Sequence, residues 1–324
     1  MEKPDNIIIS VVIPTADNAR LLEGLLESLH IQGIEPEQWE IWIVDGSKDK
    51  QTEQLISDAK KKFNRLPLKY IHYPSKGMLQ RRNEGIRRAA GKYLILLDDD
   101  VIMHVDYMKN ALEELPKIKG IFAGGGKILP MFEQQKPPWL NKFFMPLLAE
   151  VNLGEKIRLF PKNKYPFGIN MIFRREVFER YGLFPEEEDP RDEDWINMSE
   201  RTYLRRLRRE GVPLYYFPDL MVWHLLSERY LDKAYIRRQA QIHYQMKLNE
   251  WAEAHRAVRL RLLVKELLKW AGTLGVAVYY LFSTQWEKIK PLFWYRYWGT
   301  KILLKYLWGH KEITSVQHAK SKRL

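Results

Sequence analysis

Three carboxylates stand side by side at Asp98, Asp99 and Asp100, directly after the apolar run Tyr93-Leu94-Ile95-Leu96-Leu97. Adjacent acids repel one another, and a divalent cation with a preference for oxygen ligands removes that repulsion. Mg2+ or Mn2+ binds through one or two carboxylates and leaves its other positions to water or phosphate oxygens, so the triplet suits a metal-diphosphate site. The same acids could instead cap a following helix. One acid suffices for a cap, and three at the end of a buried strand favour the cation. Asp45 likewise ends an apolar run, Trp39-Glu40-Ile41-Trp42-Ile43-Val44, and opens Asp45-Gly46-Ser47-Lys48-Asp49. It reads either as a turn former, since Asp-Gly favours turns, or as an acceptor for a base or ribose donor. His224 follows a third apolar run and is either a packed, hydrogen-bonded imidazole or a ligand.

Positioning these groups takes a sheet whose strand ends share one rim. Ile7 to Ile13 is a β-branched run closed by Pro14, and Leu21, Leu22, Leu25, Leu26 and Leu29 then recur at helical spacing. The second run and a polar helix to about Phe63 follow, then a short strand at Lys69-Tyr70-Ile71-His72, a basic helix from Gln80 to Ala90, and the run before the acids. Alternating strands and helices predict an α/β fold with a doubly wound, mostly parallel sheet, whose ligand crevice lies at the carboxyl ends of the strands. No G-x-G-x-x-G follows the first strand, which argues against a nicotinamide enzyme.

Charge divides the chain. Residues 231–324 hold 18 basic and 6 acidic side chains, so the net +12 of all 324 residues resides there and the preceding 230 are neutral. Six of the eleven tryptophans share this basic region, a combination that points to an anionic membrane surface. Residues 231–269 predict a basic amphipathic helix with Leu260, Leu263, Val264, Leu267 and Leu268 on one face. Residues 270–286 carry no charge and suit an interfacial helix, or one packed on the catalytic domain, better than a full crossing. There is no cysteine, so no disulfide and no thiolate site. The short N-terminal apolar run does not read as a secretory signal, and the expected location is cytoplasmic, peripheral on the inner face of the cell membrane. Residues 131–165 lack a clear period and are the candidate acceptor-facing loop.

The succession Val11-Val12-Ile13-Pro14-Thr15, Val44-Asp45-Gly46-Ser47 with Asp49, Arg82-Asn83-x-Gly85 and Leu97-Asp98-Asp99-Asp100 resembles the nucleotide-binding half of glycosyltransferase family 2, which has the GT-A fold. Gly168-Ile169-Asn170 and the following residues to Arg175 are similar to the family's strand that closes the sugar pocket, and Pro218 to His224 to its closing proline-to-histidine segment. The resemblance covers roughly residues 7–224. It implies a GT-A catalytic domain over 1–230 and a helical, membrane-associated extension over 231–324. It further implies that Pro14, Thr15, Asp45, Asp49, Arg82, Asp98 and Asp99 bind the nucleotide, that Gly168 and Asn170 line the sugar pocket, and that Asp98, Asp100 and His224 hold Mg2+ or Mn2+. The family's base opens a helix that ends in an Arg-rich turn and a glycine. Counting back from Gly211, or forward from Gly182, puts Glu200 in that place, with Ser199 replacing the usual preceding acid, while Asp194 in Asp192-Glu193-Asp194 is the competing choice.

The implied activity is an inverting, metal-dependent transfer of one sugar from a nucleotide-diphosphate sugar, a UDP-sugar favoured, to the hydroxyl of a glycan or lipid-linked acceptor in polysaccharide or glycolipid synthesis. The processive members' Gln-x-x-Arg-Trp motif is absent. A nucleotidyltransferase is the enzymatic alternative, but Thr15 to Arg20 lacks its glycine-rich loop. A non-catalytic membrane-surface protein using the basic tail is the other. Nucleic acid is not an expected partner.

Overall fold

The computed structural model describes residues 7–74, 77–185, 193–252 and 256–307. They fall into two compact units, residues 1–131 with 149–225, and residues 132–148 with 226–324.

The first unit opens with the expected alternation: β1 (Ile9–Thr15), α1 (Ala19–His30), β2 (Trp39–Asp45), α2 (Gln51–Lys62), β3 (Leu68–His72), α3 (Met78–Arg88) and β4 (Tyr93–Leu97). β1 runs parallel to both β2 and β4, and β2 is parallel to β3. Every residue of β1 and β4 is buried, which is why both read as unbroken apolar runs rather than alternating ones. The chain continues through β5 (Val101–Met103), α4 (Tyr107–Glu114), β6 (Ala123–Phe132), β7 (Arg158–Leu159), β8 (Asn170–Arg174), α5 (Glu176–Tyr181), α6 (Glu193–Arg209) and β9 (Leu214–Leu226). The strand order is β3-β2-β1-β4-β8-β6-β9-β5, with β7 on β9. Beyond the four parallel strands, β8 runs antiparallel to β4, β6 to β8, and β5 to β9.

This topology settles how the three acids are used. The chain leaves Asp100 directly into β5, and α4 does not begin until Tyr107, so the triplet caps no helix. Pairing of Val101 with His224 sets the imidazole beside the acids from far along the chain. Thr15 pairs with Asp45 at the shared end of β1 and β2.

Asn170, expected to line the sugar pocket, is held at both ends of its amide. It is fully buried, its Oδ1 accepts from the Tyr107 hydroxyl at 2.6 Å, and its Nδ2 donates to the Leu220 carbonyl at 2.8 Å. Both ends of the amide thereby tie β8 to α4 and β9.

The second unit contains α7 (Lys233–Ala252), α8 (Arg256–Phe282) and α9 (Ile289–Leu307). Leu140, Phe144 and Leu148 pack with Tyr230, Ile236 and Ala240, and Trp294 and Tyr295 lie against them. The first half of the expected acceptor loop is thus core of this helical unit, its irregular aromatics filling gaps between helices. The stretch expected as a basic amphipathic helix carries α7 and the first half of α8, and its Val264, Leu267 and Leu268 are exposed. Among the described residues no helix is long and apolar enough to cross a membrane.

Where β6 passes β9, a Cβ at Gly126 would lie 1.7 Å from the Leu220 carbonyl oxygen. Backbone cannot yield as a side chain can, so Gly126→Ala is expected to cost about 3 kcal/mol in urea unfolding, at the upper end of overpacking effects. A loss below about 0.5 kcal/mol, the range of harmless surface changes, would show that the two strands are not in this close contact.

Candidate active site

Arg82 lies in the first half of α3, behind Gly85, where a Cβ would come 2.3 Å from Val12 Cγ1. That bare position lets α3 press onto β1 and carries Arg82 into the sheet's rim. Its guanidinium has no solvent exposure. One nitrogen donates to Asp98 Oδ1 at 2.5 Å, the other donates to Glu200 Oε1, and the Gly168 carbonyl lies 3.4 Å away. Arg82 therefore joins the end of β4 to α6. A charge-assisted bond on each arm of a planar fork suits arginine and not lysine. Burial alone lowers an arginine pKa, yet Glu200 and Asp98 outweigh it and hold Arg82 firmly protonated.

The three aspartates diverge. Asp98 turns to Arg82. Asp99 accepts from the Thr15 hydroxyl at 2.5 Å and from the Asn18 amide at 2.8 Å, facing the end of β1. Asp100 is buried and lies 3.4 Å from His224 Nε2. Burial and then neighbouring Asp100 push the Asp99 carboxyl up to about 7, against the lowering effect of its two hydrogen bonds. Asp98 is raised as well, by burial first and by Asp100 and Glu200, with Arg82 opposing. The rim is thus short of positive charge.

Asp45 is buried at the end of β2, its Oδ2 accepting from the Tyr70 hydroxyl at 2.9 Å and its Oδ1 from the Ser47 N–H at 2.8 Å. Both the turn role and a place on the rim hold for it. Burial, followed by Asp45, raises the Tyr70 hydroxyl pKa. Asp17, at φ +53°, donates its N–H to Ser47 Oγ at 2.8 Å and joins the turns after β1 and β2. Asp49 stays apart: it is exposed, and its Oδ1 accepts from the Gln51 N–H at 3.0 Å as α2 begins. The Asp194 side chain lies outside the described residues.

Sequence reasoning missed Arg81. Its side chain crosses Gly46, where a Cβ would meet the guanidinium nitrogen at 2.7 Å, and it feels the charges of Asp99, Asp45 and Asp17. Burial lowers its pKa and those three acids raise it. The available signal was a second arginine beside Arg82 opposite Asp-Gly. Gly168 sits over the other end of the site, where a Cβ would be 2.6 Å from both Glu200 oxygens and 2.9 Å from Arg82.

A divalent cation fits this donor set. Asp100 lies beside the His224 imidazole, and burial raises the carboxyl pKa of the adjacent Asp98 and Asp99. Among the described residues no three His, Asp or Glu side chains are arranged to hold a metal alone.

Residues 10–182, just over half of the chain, match the family profile described as Glycosyl transferase family 2. A relative from Methanococcus voltae, dolichyl N-acetyl-alpha-D-glucosaminyl phosphate 3-beta-D-2,3-diacetamido-2,3-dideoxy-beta-D-glucuronosyltransferase, is 26% identical over 218 residues, covering 66% of this chain and 65% of its own. The match therefore spans a little under two-thirds of that relative. Among solved structures, the mannosyltransferase PcManGT from Pyrobaculum calidifontis in complex with GDP-Man and Mn2+ superposes with a TM-score of 0.57 at 18% identity, over 94% of this chain and 88% of that one. S. aureus TarS 1-349 in complex with UDP-GlcNAc gives 0.52 at 17%, over 94% and 92%. At such identities these two show the fold, which is the GT-A type.

Replacing Arg82 leaves Asp98 and Glu200 facing each other without their shared cation. Arg82→Leu is expected to lower stability by about 3–5 kcal/mol in urea unfolding, the cost of breaking a buried ion pair from one side. A loss under about 1 kcal/mol, the size of an exposed pair, would contradict the buried bridge.

Proposed function

This chain belongs to glycosyl transferase family 2, and from that membership we propose that it transfers a single sugar, with inversion, from a nucleotide-diphosphate sugar to an acceptor hydroxyl. The observation that carries the reading is the run Asp98 to Asp100 at the end of β4, its three carboxylates set against Arg82, Thr15 and His224, with Glu200 on the second arm of Arg82. A UDP-sugar is the favoured donor, in keeping with the UDP-GlcNAc bound to TarS, although PcManGT holds GDP-Man. The acceptor is a glycan or a lipid-linked sugar, as the name of the Methanococcus voltae relative suggests. Family membership disfavours the nucleotidyltransferase alternative.

In this reading Thr15, Asp45 and Asp99 orient the nucleoside, with Arg81 spanning the last two. Asp100 and His224, with Asp98 beside them, hold Mg2+ or Mn2+. When bound, the ion supplies Lewis-acid stabilisation of the charge that grows on the departing diphosphate. Glu200 takes the acceptor proton. Arg82 fixes the orientation of its carboxylate, and glycine at 168 leaves room for that carboxylate at the rim. Attack from the face opposite the diphosphate inverts the anomeric carbon in one displacement. The basic 231–324 unit keeps the enzyme on the anionic inner face of the cell membrane, where a lipid-linked acceptor is found.

Two substitutions separate the roles. Glu200→Gln is expected to keep the nucleotide-sugar Kd within about threefold while kcat falls by about 10²–10⁴, the contribution of a general base. Asp100→Ala is expected to lose Mn2+-dependent thermal stabilisation by UDP along with turnover. An undiminished kcat in Glu200→Gln, with the loss found in Asp194→Asn instead, would transfer the base assignment to Asp194.

A further inference from the structure

Within its own unit, α8 turns a mixed face inward, with Ala277 and Tyr280 packed against Leu292. Glu266 and Thr273 are buried against α9, where Arg296 Nε donates to Thr273 Oγ1 at 3.1 Å and Lys269 pairs with Glu266. Trp270 Nε1 donates to Thr300 Oγ1 at 2.8 Å on the same side. The opposite face carries Val264, Leu267, Leu268, Leu274, Val278 and Phe282, exposed by 49, 69, 66, 54, 52 and 83%. At 100° per residue these positions fall on one side of the helix, with the exposed Ala271 and Gly275 between them, in a stripe about 27 Å long at 1.5 Å per residue. A continuous apolar strip of that length on a soluble surface marks an interaction site.

Charge selects what covers it. Lys265, Lys290 and Lys301 are exposed in this unit, and the whole net charge of the chain lies in residues 231–324. Two copies meeting through the stripe would bring two such excesses together, whereas an anionic bilayer attracts them. Trp286, 61% exposed just beyond the stripe, and Tyr279 on its shoulder are amphipathic rings suited to the headgroup layer. The buried Glu266 and Thr273 belong to a helix that meets lipid along one face only.

We propose that α8 lies flat in an anionic bilayer surface, with the stripe from Val264 to Phe282 sunk to the acyl boundary and Trp286 at the headgroups. This deepens the membrane part of the function proposed above and rests on it for the identity of the surface. It assigns attachment to the apolar stripe, with the basic charge as attraction rather than anchor.

The test is co-sedimentation of the full chain with phosphatidylcholine vesicles, with and without phosphatidylglycerol. Wild type is expected to partition onto the mixed vesicles. The triple variant Leu267→Gln, Leu274→Gln, Phe282→Gln changes only exposed positions and is expected to keep its Tm while its partition coefficient falls at least about tenfold, in line with lost apolar burial. Neutralising Lys265, Lys290 and Lys301 to Gln should instead reduce the salt sensitivity of binding. Equal partitioning of wild type and triple variant would overturn the assignment. A lipid-free dimer in sedimentation equilibrium that the triple variant abolishes would overturn it too, giving the stripe to a second copy. Thermal stabilisation by nucleotide sugars, read without lipid, reports on the rim alone, so its failure would count against the catalytic reading and leave the vesicle result standing.

Discussion

A guanidinium with no access to water holds the two chemical halves of this site together. Arg82 binds Asp98 at the end of the parallel half of the sheet and Glu200 on a helix more than a hundred residues later. Asp98 and Glu200 supply the two carboxylates that offset the burial of the Arg82 charge, and removing either partner leaves a buried charge uncompensated. The bridge depends on the surrounding backbone. A glycine at 85 lets α3 approach β1, a glycine at 168 leaves room for the Glu200 carboxylate, and the antiparallel pairing of β8 on β4 closes the rim. A proposed leaving-group site and a proposed base are thereby set on opposite arms of one fork.

The remaining charge on the rim is unbalanced by design of the sheet. Parallel strands ending in acids crowd Asp98, Asp99 and Asp100 into a partly buried space, and burial raises the carboxyl pKa of the first two. Folding tolerates this because Thr15 and Asn18 bind Asp99 and because His224 is brought alongside Asp100 by the β5–β9 pairing. Such crowding is costly to a protein with no ligand and favourable to one that binds a cation with a diphosphate. The unfavourable term in stability is the favourable term in binding.

Much of the first unit was legible because buried parallel strands write themselves as unbroken apolar runs, and β2 and β4 end at or directly before their acids, whereas β1 runs on through Pro14, expected to close it, to Thr15. What the sequence hid was direction. Asn170 stands in a motif associated with the sugar pocket, yet side chains alternate across a strand, and this one points to Tyr107 and Leu220. The leucines of α8 gave a clear helical period, but a period does not say which face turns inward, and here Leu267, Leu268 and Leu274 stay exposed while a mixed face with Glu266, Thr273, Ala277 and Tyr280 is buried. Arg81 was overlooked because its target, Gly46, is distant in sequence. Residues 132–148 looked like a loop because they carry no period, and they lack one because they fill spaces between helices.

The central claim is that the acids at the strand ends grip a cation and a pyrophosphate together. Calorimetric titration of UDP into the full chain, in Mn2+ and again in EDTA, measures this directly. The account predicts binding at least about tenfold tighter with the ion present, one tenfold step being 1.4 kcal/mol. Equal affinity in the two buffers would contradict it.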